Sequence, residues 1–237
     1  HNETERLYDI SAEIILTGVG IQGSETLSSY LSNKEVSRSK SDALISNSIS
    51  DEYTLEFKPL YEGIVEFICR TGSDTTLQEI EQMHEIRMAG IYLSEAIMSI
   101  NQFLENLKRY LASKNQYAKH EYNELRLLVG RVLFEIEAVR NDSLNEMNVL
   151  SLDELKLMLE NDDFEKYSAI ESLIRSDDID ASIATSLISD SGDVHMACKQ
   201  ILRAAQILFV SREKGVGIGE QSMVLDESEI RNILKGR

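Results

Sequence analysis

The stretch from Leu77 to Leu111 constrains this chain more than any other. Met83, Ile86, Leu93, Ile97, Ile100, Leu104, Leu107 and Leu111 recur at spacings of three and four, with Gly90 filling the slot between Ile86 and Leu93. That spacing lines apolar side chains along one stripe of a helix, in the heptad pattern of a helix–helix seam. A second line at sevenfold spacing, Ala89, Ala96, Phe103 and Tyr110, widens the stripe into a face for two neighbours. Such a helix is a central member of a bundle, and it predicts an all-α, antiparallel helical bundle with long heptad-patterned helices.

Composition agrees. A single Pro in 237 residues removes the punctuation that strand-rich folds need, and a hydrophobic content of 42% supplies a sizeable core. The formal charge of −17 opposes nucleic-acid binding, because phosphate neutralisation needs a basic face. Cys69 and Cys198 sit among apolar residues with no zinc-type pairing, so both are expected as buried, reduced thiols of a cytosolic protein. No stretch approaches the roughly 18 to 20 apolar residues of a membrane helix, and the first residues lack a signal-peptide pattern. The chain as given reads as soluble, and its start at His1 fits a processed product or an excised domain.

One helical domain over residues 1–237 divides into five blocks. In residues 1–33, Leu7, Ile10, Ile14, Ile21, Leu27 and Leu31 predict a first helix, kinked near Gly18, Gly20 and Gly23. A Ser-rich connector or short peripheral helix follows, then a second helix over 51–70 in which Pro59 marks a kink or a start. Thr71 to Asp74 end that helix and cap the next. Residues 76–140 form a long helical hairpin turning at Ala112 to Gln116, its second arm marked by Tyr122, Leu125, Val129, Val132, Ile136 and Val139. C-terminal helices occupy 152–212: two short ones over Leu152 to Glu160 and Phe164 to Arg175, and a long one along Leu187, Ser191, Val194, Cys198, Ile201, Ala205 and Leu208. Ser151 to Glu154 reads as a capping box for the first of these. A glycine-rich linker and a short terminal helix complete 213–237.

Gly18, Gly20 and Gly23 match G-x-G-x-x-G in letter, but a dinucleotide site needs a βαβ unit and no second strand follows. Close helix approach or a kink explains them better. Candidate metal ligands are Glu81, His84 and Glu85 on the long helix, His120 and Glu124 on the next, and Asp190, Asp193 and His195 on the last. A di-metal bundle site needs a Glu-x-x-His pair on each of two helices, and only Glu81 with His84 has that spacing, so solvated faces are the preferred reading and no metal or cofactor is expected. The serines have no nucleophile-elbow context and both Cys lie in apolar surroundings that disfavour a nucleophilic thiolate, so the chain reads as non-catalytic. Positive charge concentrates in one place. Lys108, Arg109, Lys114 and Lys119 gather at the hairpin turn, where they complement a helix C-terminus or dock an anionic partner or lipid headgroup.

Two runs resemble a known family. Phe103 to Arg126, FLENLKRYLASKNQYAKHEYNELR, looks like the hairpin in the cytoplasmic C-terminal region of bacterial Na+/phosphate cotransporters, and Ile183 to Phe209 resembles a later segment of the same region. With Leu7 to Ile21 and Leu60 to Phe67, the likeness extends over most of the chain. It implies a PhoU-like helical domain on the cytoplasmic side of the inner membrane, partnered by the membrane-embedded transporter domain of the same polypeptide or by a second copy. It also brings an alternative, a free-standing PhoU-type metal-binding regulator of phosphate uptake. PhoU proteins hold metal clusters through paired Glu/Asp-x-x-x-Asp motifs, of which only Glu5 to Asp9 is present here with clean spacing.

Overall fold

A computed structural model describes residues 2–21, 49–70, 76–141 and 146–210. These residues are 92% helical and form six helices with no strand. In chain order, α1 is Asn2–Gly18 and α2 covers 49–70, an α-helix interrupted by a π-helical turn at Tyr53–Phe57. Then come α3 (Leu77–Leu111), α4 (Gln116–Asn141), α5 (Glu146–Arg175) and α6 (Ala181–Ala205), the last running on into a second π turn, Gln206–Val210. No helix among the described residues is long and apolar enough to cross a membrane.

The long helix has the predicted bounds, and its seam is buried from Ala89 to Leu111; Met83 and Ile86, nearer its start, are only half-buried. Its N-terminus is a complete capping box: the Thr76 side chain accepts from the Glu79 backbone, and Glu79 accepts from the Thr76 N–H at 2.8 Å. Thr76 therefore caps the helix, two residues after Asp74, the last of the stretch expected to cap it. The most extensive packing of α3 is against α6 rather than against its hairpin partner α4. Cross-links fix the register of that pair: Arg203 over the Tyr92 ring, Gln200 to Glu95, Asn106 to Asp190 and Tyr110 to Ser186. As the α6 number falls from 203 to 186 the α3 number rises from 92 to 110, so the helices run antiparallel without slip over about 27 Å. The last helix thus shares the centre that the sequence assigns to α3 alone, and it also packs against α4 and α5.

The first helix is shorter than 1–33. It ends at Gly18 in a Schellman motif, with Gly20 at φ 73°, its N–H bonded to Thr17 O and the Ile21 N–H to Leu16 O. Gly18 has a packing reason, since a Cβ there would collide with the buried Ile49 side chain. The G-x-G spacing is thus a helix end beside a close contact; Gly23 and the remainder of that block, like the connector and 213–237, lie outside the described residues. Residues 151–154 lie inside α5, which begins at Glu146 and runs unbroken to Arg175, so the two short helices expected over 152–160 and 164–175 are one, with Leu152, Leu155 and Leu159 buried along it. Local capping chemistry loses there to tertiary burial. Cys198 is buried as expected but Cys69 is exposed, because it faces away from the core against which its neighbour Ile68 packs.

Pro59 sits two residues into the α-helical part of α2, just after the π turn. Proline lacks an N–H and crowds the carbonyl four residues back, here Leu55 O; the wider turn accommodates both, with the Lys58 N–H bonding Tyr53 O.

Candidate functional site

Two features stand out from the apolar packing: a polar cluster inside the bundle and the end of the bundle just beyond it. The cluster centres on Asp190 of α6, which is 3% exposed. Tyr122 of α4 donates its hydroxyl to Asp190 Oδ2 at 2.5 Å, and Asn106 of α3 donates to Oδ1 at 3.3 Å. One carboxylate therefore joins three helices. Tyr122 is itself fully buried, stacked on Tyr110 with ring centroids 4.6 Å apart and flanked by Phe103 at 6.0 Å. Burial pushes the Asp190 carboxyl pKa up, while the bonds from Tyr122 and Asn106 pull it down and the charge of Asp193 raises it further. The Tyr122 hydroxyl is also raised, by burial first and then by its bond to Asp190. One turn along α4, Arg126 is fully buried and donates to Asn123 at 2.7 Å.

The bundle end is made by two turns held together. Asn115 caps α4, accepting from the N–H groups of Tyr117 and Ala118 at 3.0 Å each, and its Nδ2 donates to Asp178 O at 2.8 Å across to the α5–α6 connection. Asp180 caps α6 by accepting from the Ile183 N–H at 2.8 Å. Asp177 takes the left-handed conformation, φ 62°, in the turn that ends α5. Lys108, Arg109 and Lys114 are exposed and Lys119 is half-exposed; Arg109 lies 5.3 Å from the Tyr110 ring centroid. Folding therefore sets the basic turn beside an acidic one, Asp177, Asp178 and Asp180, and the positive cluster of the sequence becomes a surface of mixed charge.

The candidate metal ligands are not brought together. Among the described residues no three His, Cys, Asp or Glu side chains converge as a metal site requires. His84 is exposed beside Arg87 Nη2 at 3.0 Å, and His120 is exposed at the other end of the hairpin, about 40 Å away along α3. Glu81 is exposed, and Glu85, Glu124 and Asp193 are partly exposed. His195 is buried, and its Nδ1 donates to Ser191 O at 2.8 Å within its own helix. Asp190 is a structural acceptor rather than a ligand in waiting. Glu5 and Asp9 both face Arg140 of α4, which ties α1 to the bundle and stacks 5.4 Å from the Phe209 ring centroid.

Sequence reasoning missed Tyr122 and Asn106 as partners of Asp190 and Ser186 as the partner of Tyr110, and missed the burial of Arg126. One signal was present: Asp190 falls on the three-four line Leu187, Asp190, Val194, Ala197, Ile201, so its register is that of the seam. No family model, curated protein or solved structure matches the chain.

Proposed function

We propose that this chain is a non-catalytic, PhoU-like regulatory or interaction domain of a sodium-dependent phosphate transporter, acting on the cytoplasmic face of the membrane. The observation that carries this reading is the meeting of the two runs that resemble the cotransporter family. Phe103 to Arg126 and Ile183 to Phe209 are far apart in the chain, yet they interlock through Asn106, Tyr122 and Asp190 directly beneath the paired turns. The links through Asn106, Tyr122 and Asp190 lie next to the paired turns, which supports that end of the bundle as the working surface. Lys108, Arg109, Lys114 and Lys119 supply its cationic half and Asp177 and Asp180 its anionic half, a pattern suited to a protein partner carrying both signs. Such a domain regulates by contacting one conformational state of its partner more favourably than another.

The test is association of the purified chain with the detergent-solubilised membrane portion of the transporter, for the native chain and for Lys114→Glu with Lys119→Glu. The expected result is binding that weakens about tenfold or more in the double variant at low salt. No association, or association unchanged by the reversal, would remove the reading. Elemental analysis addresses the alternative, since stoichiometric iron, zinc or manganese would favour a free-standing PhoU-type metal-binding regulator.

A further inference from the structure

The groove between α1 and α2 has no part in the reading above. It encloses about 460 Å³ and is lined by Arg6, Ile10, Leu55, Glu56, Pro59 and Leu60. Its floor is apolar and open, with Leu55 76% exposed. The π turn helps to build it. In α geometry Leu55 would point about 140° away from Leu60, five residues on, and the wider turn swings it towards that face.

The apolar track continues past the groove. Phe67 lies seven residues beyond Leu60 in the regular helical segment Lys58–Arg70, on the same face two turns on, and is 68% exposed. Gly63 lies between them, and a Cβ there would meet nothing within 4 Å. From Leu55 to Phe67 the track is about 18 Å long, the length of some three helical turns.

Charge selects the occupant. Glu56 stands on the α2 rim, and Glu3 and Glu13, both exposed, share the face of α1 that carries Arg6 and Ile10. Their carboxylates outnumber the guanidinium of Arg6, while Lys58 and Arg70 are engaged by Glu62 and Glu66 one turn away. We propose that this groove and track dock a basic amphipathic helix of about three turns from a partner protein. Its apolar face would lie on Leu55, Leu60 and Phe67, with its backbone brought close at Gly63 and its Lys or Arg residues directed at Glu3, Glu13 and Glu56.

The experiment uses the full chain and a fluorescent synthetic helix with leucine at three-four spacing and lysine elsewhere, read by anisotropy at about 0.3 M salt to suppress diffuse attraction. The native chain is expected to bind this peptide and not its glutamate counterpart. The double variant Leu55→Glu, Phe67→Glu is expected to lose about tenfold or more in affinity. Both substitutions add negative charge, so a merely electrostatic complex would tighten instead. Leu157→Glu, at a 58% exposed site on α5, is the control and should bind as the native chain does. Far-ultraviolet circular dichroism checks that each variant keeps its helix content. No binding of the basic peptide, equal binding of the acidic one, an unchanged or tightened double variant, or an equal loss in the control would each overturn the proposal. Binding of anionic phospholipid vesicles that depends on Leu55 and Phe67 would overturn it too, assigning the track to a lipid surface.

Discussion

Helices α6 and α2 both lie against α3 and are held in opposite ways. The face of α6 is buried almost without interruption from Ala184 to Ala205, and polar cross-links to α3 mark both ends of the contact. By contrast α2 buries three residues, Ile49, Phe57 and Ile64, and its polar links to α3 are two tyrosine hydroxyls, Tyr53 to Ser94 at 3.0 Å and Tyr61 to the Arg87 carbonyl at 3.0 Å. Burial is continuous along α6 and confined to three positions on α2. Opening α2 would uncover Ile49, Phe57 and Ile64, fewer buried residues than opening α6 would, so the α2 side of α3 opens more readily.

Core truncation separates the two most sharply. Ile201→Ala, at a fully buried site, should cost about 2–5 kcal/mol in urea unfolding, whereas Phe67→Ala should stay within about 0.5 kcal/mol. Equal costs would mean that the exposed end of α2 is covered after all.

The polar cross-link comes next. Tyr122→Phe removes a donor from the buried Asp190 carboxylate and should cost about 1–3 kcal/mol at neutral pH. A pH series sharpens this. With its carboxyl pKa raised by burial, folded Asp190 holds its proton more tightly than the unfolded chain does. Its contribution to stability is therefore fully present below the ordinary carboxylate pKa of about 3.9 and is lost as pH rises through the higher folded value. Asn at 190 does not titrate, so the stability difference should move in favour of Asp190→Asn as pH rises through that window. Urea midpoints showing a pH-independent difference would remove Asp190 as the titrating group.

Glycines give effects of opposite sign. Gly18→Ala forces a methyl into the Ile49 side chain and should destabilise by about 1–3 kcal/mol. Gly63→Ala meets open space in a helix interior and should stabilise by up to about 1 kcal/mol, read as a rise in Tm. The smallest effect belongs to the turn after α5. Asp177→Gly should gain a few tenths of a kcal/mol by relieving a left-handed conformation that glycine adopts freely.

Periodicity made the helices legible in proportion to their burial. The seam of α3 and the line Tyr122 to Val139 gave bounds close to those observed, because continuous apolar contact enforces a three-four pattern. Element ends were harder to read. Ser151 to Glu154 has the chemistry of a cap and sits within a helix, while Thr76 with Glu79 caps the long helix two residues beyond the stretch expected to do so. Beyond the α3–α4 hairpin, which helices touch was not legible, since a seam states that a partner exists and not which one. The same limit hid the site: Asp190 was visible as an acidic residue on a seam, but Tyr122 and Asn106 became its partners only when three helices met. The acidic turn beside Lys114 arrives likewise from more than sixty residues further along the chain, through the Asn115 to Asp178 bond.

The pairing of α3 with α6 has a consequence for the order in which the molecule forms. On the ribosome α3 is complete long before the helix that covers its largest face has been made, and α4, which follows at once, covers only a small part of it. A nascent chain that has reached the end of α5 still presents the Tyr92 to Tyr110 side of α3 uncovered, and the contacts that close it span about a hundred residues. Cooperative folding therefore waits for α6, and translation halted before Ala181 would release a species prone to associate through that face.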